Sequence, residues 1–556
     1  MSGAARLIYL PLGGAGEIGM NCYVYGYGPK DAERLIVVDL GVTFPDMDSS
    51  PGVDLILPDI TWLEERRDRI EAVFVTHAHE DHVGAVGHLW ARLRAPIYAR
   101  VFTATIARGK LAEYGLSEKE VTVVNPWPEQ VTAGPFRVGF VPVSHSIPET
   151  SSLVIDTPEG RILHTGDFKL DPNPIVGEPW NPDVFAAIGK SGVKALVCDS
   201  TNVFSPEAGR SESSIGLAIE ELVQAHDGMV VATTFASNIA RVRTLAEAGK
   251  RAGRSVCLLG RAMRRMVEAG VESGVLTSFP TTVAPEDAAN IPSENLMLIV
   301  TGSQGERRAA SAQLSRGKYL GLELKDGDLF LFSSKTIPGN ERDVIRIMNA
   351  FSERGVDVVD DSGGRYHVSG HANRPDLQMV HKLVKPQMVI PMHGEHRHLR
   401  AHVKLAEAAG ITGVLAPNGT LVELQGNAPH IAEYVETGRT YYDGTAYIGA
   451  LDGIVRDRLR MAMNGLVVVT LIIDEDGEVL GDPWCDLKGL SETGRSNAPL
   501  VDILEEDLSQ FLGRADDRTL ADDDKLEDAI KRIVRQTCQN EIGKKPEVTI
   551  VVSRLG

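Results

Sequence analysis

The sequence predicts an α/β protein of several domains, and three observations carry that expectation. Short apolar runs that read as buried strands recur along the chain. Polar clusters follow many of them, and helix-like stretches separate several of them, as in layered α/β folds whose loops carry function. The length, 556 residues, suits about two to four domains.

The first strand, at 7–10, leads into Gly14-Ala15-Gly16-Glu17-Ile18-Gly19, a GxGxxG match, with Asp39 twenty residues after Gly19. A dinucleotide site needs a helix to begin inside those glycines. Residues 21–29 are instead β-rich and broken by glycine and proline, and the next strand, at 35–39, follows without a crossover helix. Two antiparallel strands fit better. An apolar run at 72–76 then ends in His77-Ala78-His79-Glu80-Asp81-His82, and 83–89 reads as the start of a helix. Histidine and carboxylate donors suit zinc or a similar divalent ion. Histidines at i and i+2 of extended chain project to one side, so His77 and His79 can reach one ion. Asp81 and His82 sit where a second ion could lie. Three more strand ends carry donors: His145 after 141–144, Asp167 after 161–166 and His393 after 388–392. His164 reads as packed, His88 as an ordinary helix residue, and His226 and His430 have no supporting context.

Further strands are expected at 229–233, 255–259, 295–300 and 328–332, with polar clusters after the first, third and fourth. Between 230 and 320 there are twelve Lys/Arg against seven Asp/Glu, in a chain of formal net charge -19. That acidity argues against a generic nucleic-acid coat and leaves room for a local basic channel. After about residue 450 a small α/β unit begins. Its parts are a strand at 465–473, a hairpin signal at Asp474-Glu475-Asp476-Gly477, helices near 500–512 and 523–539, and a last strand at 547–552. It has no metal or nucleophile pattern. The composition, 43% hydrophobic and 24% charged, is that of a soluble globular protein. No apolar stretch is long enough to span a membrane, and no signal-peptide pattern opens the chain. The five cysteines lack CxxC spacing and read as buried or incidental thiols of a reducing compartment. A cytoplasmic protein with no membrane partner is expected.

The run from His77 to His82 resembles the HxHxDH signature of the metallo-β-lactamase superfamily, which implies an αββα sandwich holding two metal ions. In that resemblance His77, His79 and His145 bind one ion, Asp81, His82 and His393 bind the other, and Asp167 bridges both. Asp39 matches the early aspartate that stands behind the ligands. The 226 residues from Asp167 to His393 far exceed the spacing of compact superfamily hydrolases, so a domain is inserted between them. The insertion looks like a β-CASP domain. The motifs Leu12-Gly13-Gly14-Ala15-Gly16-Glu17-Ile18-Gly19, Cys198-Asp199-Ser200-Thr201-Asn202, Ile337-Pro338-Gly339-Asn340-Glu341, His367-Val368-Ser369-Gly370-His371-Ala372 and Pro391-Met392-His393-Gly394-Glu395 resemble the bacterial ribonuclease J family from about residue 7 to about 450. Arg307-Arg308 departs from the family pattern, where a proline and an apolar residue are expected.

The resemblance implies four segments: 1–210 and 356–450 for the metallo-β-lactamase domain and its return, 211–355 for β-CASP, and 465–556 for the C-terminal domain. It implies a metal-dependent ribonuclease acting in RNA decay and maturation through a water activated between two metals. Action runs 5′-to-3′ from monophosphate ends, with some endonuclease activity. The ions are zinc first, with manganese or magnesium as alternatives. Asp81, Asp199 and His371 are the candidate catalytic residues. Ser369, His371, His367, Ser237, Asn238 and Arg241 are candidates for RNA or phosphate contact. For Ser237, Asn238 and Arg241 a helix cap followed by a solvated helix stays open as the plainer reading. His396 is expected near the site and His398 at the surface. Single-stranded RNA, a second copy or three further copies of the chain, and other RNA-decay proteins are the expected partners. The competing readings are a β-CASP nuclease acting on DNA, a small-molecule hydrolase, and a catalytically silent RNA-binding scaffold.

Overall fold

Burial on both faces decides how the longest strands are used. In Ala5–Gly13 the side chains of Leu7, Ile8, Tyr9 and Leu10 are all fully buried, so this strand lies inside a layered structure and not at its surface. A computed structural model of the chain describes residues 4–426 and 428–555. It divides into two units, 1–43 with 57–439, and 44–56 with 440–556.

The first unit holds two large sheets. One has eight strands, ordered His430–Tyr434, Thr420–Glu423, Ala5–Gly13, Cys22–Pro29, Arg34–Val38, Ile70–Phe74, Ile97–Ala99 and Val121–Val123. The other has seven, ordered Thr412–Gly413, Met388–Met392, Ala195–Asp199, Gly160–His164, Ser151–Thr157, Phe136–Pro142 and Val131–Ala133. Leu7, Tyr9, Tyr25, Val38 and Phe74 of the first sheet meet Phe136, Phe140, Leu153, Ile155, Val197 and Ile390 of the second in one core. Helices Pro182–Lys190 and Arg374–Val384 cover the outer face of the second sheet through Phe185, Ile188, Leu377 and Val380. The result is the expected αββα sandwich. Cys22–Pro29 pairs antiparallel with both Ala5–Gly13 and Arg34–Val38, and no helix starts in the glycine-rich turn before it, which removes the dinucleotide reading.

Strand direction places the functional loops together. Gly160–His164, Ala195–Asp199 and Met388–Met392 are parallel neighbours in register, His164 beside Val197 and Asp199 beside Met392. Arg34–Val38 and Ile70–Phe74 are likewise parallel, Val38 beside Phe74. Their C-terminal ends deliver Asp167, Asp199, His393, Asp39 and His77. The helix expected from 83 begins earlier, as a turn Glu80–Val83 before Val86–Leu93, so Asp81 and His82 are helical.

Between these strands runs an all-parallel five-stranded sheet, ordered Ser255–Leu259, Leu296–Val300, Val230–Thr233, Leu329–Phe332 and Asp357–Val359. The four strands expected there form within a residue or so of their expected bounds. The fifth, three residues long with half-exposed valines, is too short to leave a pattern. In the second unit Leu466–Ile473 pairs antiparallel with Trp484–Lys488 and parallel with Glu547–Arg554. Its Val467, Val469, Leu471 and Ile473 pack on Leu504 and Leu508 of helix Leu500–Leu512 and on Ile530 and Val534 of helix Asp523–Ile542. Residues 451–464, outside the four expected segments, contain helix Ile454–Asn464. Among the described residues no helix is long and apolar enough to cross a membrane. All five cysteines are free and buried.

Three buried histidines outside the ligand set make the first unit acid-sensitive. His164 bonds Tyr25 Oη at 2.9 Å. His381 and His402 stack 5.2 Å apart, and His402 Nδ1 lies 2.9 Å from Ser200 Oγ. Burial lowers their pKa values to about 3 for His164, about 4 for His381 and about 3 for His402. Below pH ~6.5 the unfolded chain binds protons that these folded histidines refuse, so stability falls as pH drops toward 4. At pH 5 each costs roughly 2 kcal/mol. Urea unfolding of chelator-treated protein checks this. His402→Gln should lose less stability between pH 7.5 and 5 than the parent; equal losses would contradict the assignment.

Candidate metal centre

His82 and His145 are each aimed by a second contact. Asp39, with φ +64° and no exposure, accepts from Thr76 N at 2.7 Å, and its Oδ2 lies 2.7 Å from His82 Nδ1. That contact turns His82 Nε2 toward Asp167 Oδ2, 3.3 Å away. His145 Nδ1 is held by the Gly370 carbonyl at 2.6 Å, which leaves Nε2 to face His79 Nδ1 at 3.1 Å. His77 Nε2 is 3.2 Å from the same His79 nitrogen. Imidazoles fixed through one nitrogen with the other presented are the usual arrangement for metal ligation.

The donor atoms of His77, His79 and His145 all lie within 4.8 Å of one another, as do those of Asp81, His82, Asp167 and His393. Asp167 stands between the groups. Its Oδ2 is 3.9 Å from His77 Nε2 and 3.8 Å from His145 Nε2, and its Oδ1 is 3.2 Å from His393 Nδ1. That Oδ1 is buried and has no hydrogen bond among the described residues. His393 Nε2 is 3.1 Å from Asp81 Oδ2. All seven expected ligands are thus brought together. A third group, Asp167, Asp199, His371 and His393, adjoins them. His371 Nδ1 is 2.8 Å from Asp199 Oδ2, and Thr201 N and Oγ1 donate to Asp199 Oδ1.

The charges suit cation binding. Burial, joined by neighbouring histidines, holds His77 and His145 well below the ordinary histidine pKa, and burial takes His79 to about 4, so these imidazoles stay neutral. Burial would raise Asp167, but His393 and His82 outweigh it and lower the carboxyl to about 2. Burial likewise opposes His393, yet Asp167, Asp199 and Asp81 lift it to about 10. The neutral imidazoles of His77, His79 and His145, the ionised carboxylates and the orphaned carboxylate oxygen fit divalent ions, and His82 and His393, whose pKa values the carboxylates raise despite burial, would release protons on binding one.

Several residues of the site escaped sequence reasoning. Asn21 Nδ2 lies 3.0 Å from His82 Nε2 and donates to the Asp81 carbonyl at 3.0 Å, delivered there by the glycine-rich turn already noted in the sequence. At Gly41 any Cβ would stand 1.6 Å from the Asp81 carbonyl oxygen, so only glycine lets the loop after Asp39 approach the turn that carries Asp81 and His82. Asn202 Nδ2 donates to Ser369 Oγ at 2.8 Å.

The expected phosphate wall needs correction. Arg241 is fully buried. Its guanidinium pairs with Glu212 at 2.5 Å and donates to the carbonyls of Ser333 (2.8 Å) and Tyr366 (3.2 Å), with His367 Nδ1 3.2 Å away. It joins the inserted domain to the return segment and, being fully buried, presents no surface to RNA. Asn238 is 3% exposed and caps helix Ile239–Arg251 by accepting from Arg241 N at 3.0 Å, the plainer of the two readings. Ser237, His367, Ser369 and His371 keep partial exposure. His396 and His398 exchange places: His396 is exposed, while His398 is buried against Phe204, because the helix starts at His396 and turns its third residue inward. Arg241→Met should cost about 3–5 kcal/mol, because it strands the buried Glu212 carboxylate. Denaturant unfolding checks this, and adding Glu212→Gln should recover part of the loss; a neutral single variant would contradict it.

Comparison with known proteins now decides the family. Residues 15–199 match the metallo-beta-lactamase superfamily, 227–351 the ribonuclease J beta-CASP domain, 365–417 a Zn-dependent metallo-hydrolase RNA specificity domain and 453–555 the ribonuclease J C-terminal domain. Ribonuclease J of Sinorhizobium meliloti is 40% identical over 99% of this chain and 98% of its own length. The chain belongs to the ribonuclease J family. Ribonuclease J of Mycolicibacterium smegmatis is 36% identical over 97% of the chain and 96% of its own length. Ribonuclease J 1 of Streptococcus pyogenes is 34% identical over 84% and 83%. A solved Enterococcus faecalis protein of unknown function shares the fold, with TM-score 0.50 and 18% identity over 75% of this chain and 100% of its own. Membership makes the chain an enzyme, a metal-dependent hydrolase of the ribonuclease J type.

Proposed function

We propose that the chain hydrolyses RNA phosphodiesters with two divalent ions, zinc first among them. It removes nucleotides 5′-to-3′ from monophosphate ends and makes some internal cuts, in cytoplasmic RNA decay and maturation. The observation that carries this is the convergence of two donor groups on one bridging carboxylate beside the Asp199–His371 pair. His77, His79 and His145 would hold one ion, Asp81, His82 and His393 the other, and Asp167 both. Such ions supply Lewis acidity and a water activated near neutral pH.

The remaining work falls to the chain. Asp39 and the Gly370 carbonyl keep His82 and His145 from rotating out of the donor set. Burial lowers the His371 pKa, but Asp199 and Asp167 outweigh it and hold it above the ordinary histidine value, which favours the protonated imidazole. With Nδ1 on Asp199, its Nε2–H is the donor for the scissile phosphate or the departing 3′ oxygen. Ser369, His367 and Ser237, all partly exposed, are the candidates for holding a 5′-terminal phosphate. The family assignment of 365–417 as an RNA specificity domain supports RNA as substrate. Assembly as a dimer or tetramer, and with other RNA-decay proteins, belongs to the same reading.

The test is one 3′-labelled single-stranded RNA carrying 5′-monophosphate, triphosphate or hydroxyl ends, beside a matched DNA strand. The monophosphate RNA should disappear fastest with release of mononucleotides, and Asp81→Ala or chelator should stop it. Equal internal cutting of all three would overturn the end-dependent exonuclease, and preference for DNA would overturn the substrate.

A further inference from the structure

The second unit carries a basic cavity of its own. A surface cavity of about 310 Å³ is lined by Arg460 and Asn464 from helix Ile454–Asn464, Arg535 from helix Asp523–Ile542, and Lys545 and Glu547 at the start of the last strand. Its charge runs against its surroundings. Residues 453–555 hold fourteen Lys/Arg against twenty-one Asp/Glu, yet three cations and one carboxylate line this cavity. That carboxylate lies near Arg535, with Arg535 Nη2 3.5 Å from Glu547 Oε2, and the same guanidinium donates to the Pro546 carbonyl at 3.2 Å. Arg535 is thereby held in one orientation. Arg460, Asn464 and Lys545 make no ion pair or side-chain hydrogen bond among the described residues.

A plainer role would be to cap the C-terminal carbonyls of helix Ile454–Asn464. Lys544 already does this, donating to the Met463 carbonyl at 3.0 Å. Arg460 and Lys545 are left over, and both are exposed. Exposed Arg456 lies one helical turn before Arg460, in a loose pair with Asp457 at 3.8 Å, so a second cation stands on the helix beyond the cavity. A small free anion is best held by buried, convergent donors. A line of exposed cations leading into an open cavity suits successive phosphates of a polyanion.

We propose that this cavity binds phosphate groups of the RNA backbone, so that the C-terminal domain holds RNA independently of the metal centre. The proposal rests on RNA being the substrate. Its chemistry reads charge and not sequence.

The experiment measures anisotropy of a 3′-labelled single-stranded RNA on full-length protein carrying Asp81→Ala, with and without Arg460→Glu/Lys545→Glu, over a salt series. The milder Arg460→Gln/Lys545→Gln pair guards against a folding defect. Both pairs should weaken binding, the Glu pair by about ten-fold at low salt. For two lost phosphate contacts on a single strand, the log–log salt slope should shrink by about 1.4. Unchanged affinity and slope would overturn the proposal. So would unchanged RNA binding with loss of thermal stabilisation by inorganic phosphate, which would make the cavity a site for a small anion. If the Asp81→Ala parent binds no RNA at all, the substrate reading itself fails and this proposal with it.

Discussion

Asp167→Ala should empty the metal centre and stop cleavage while leaving the chain folded. Asp167 is 1% exposed and, among the described residues, is the one carboxylate within 4 Å of His77, His82, His145 and His393. Its Oδ1 has no other partner. Removing it leaves His77, His79 and His145 with no carboxylate in their donor group and leaves Asp81 as the single carboxylate grouped with His82 and His393, and donor sets so depleted of anionic charge hold divalent ions poorly. The expected loss in cleavage rate is at least about a thousand-fold, about 4 kcal/mol of barrier. The Tyr9–Phe74–Phe140 core does not depend on this carboxylate, so far-UV dichroism should match the parent. Retained metal and retained rate would rule out a bridging role for Asp167.

The second large effect separates catalysis from metal holding. His371→Ala and Asp199→Asn should each lower kcat by about 10²–10⁴. The double variant should be no worse than the more damaged single variant, because the two side chains act as one unit across 2.8 Å. Metal content should stay at the parent value. If His371 and Asp199 instead complete a ligand set with Asp167 and His393, metal will be lost with activity. The pH profile adds a sign. Activity that needs protonated His371 is present below its raised pKa and is lost as pH rises through it. In Asp199→Asn, where the carboxylate that raises the pKa is gone, that loss should move to lower pH.

The sequence exposed the residues whose type is itself the chemistry. Histidines and aspartates at strand ends stand out because few other roles gather them there. Asn21 and Gly41 did not stand out, and Thr201 and Asn202 were visible only as motif members without a role, because long-range packing creates their contacts to Asp81, His82, His393 and Ser369. The glycine-rich turn before Asn21 was visible, but its purpose lies in the approach to Asp81, sixty residues away. Arg241 was misplaced for a related reason. A basic residue just after a helix cap looks solvated until the return segment folds over it. His396 and His398 exchanged roles because helix phase depends on the starting residue, which pattern alone fixes only to within a residue or two. The strands of the inserted domain were legible as apolar runs. The parallel pairing of Leu466–Ile473 with Glu547–Arg554 was not, since nothing local records it.

The most direct test of the account is to count divalent ions per chain by elemental mass spectrometry while following RNA cleavage as metal is returned to chelated protein. The account predicts that cleavage appears only as a second ion binds, and that Asp81→Ala and His145→Ala each keep one ion and no activity. Full activity with a single ion per chain, or cleavage that persists with none, would contradict it.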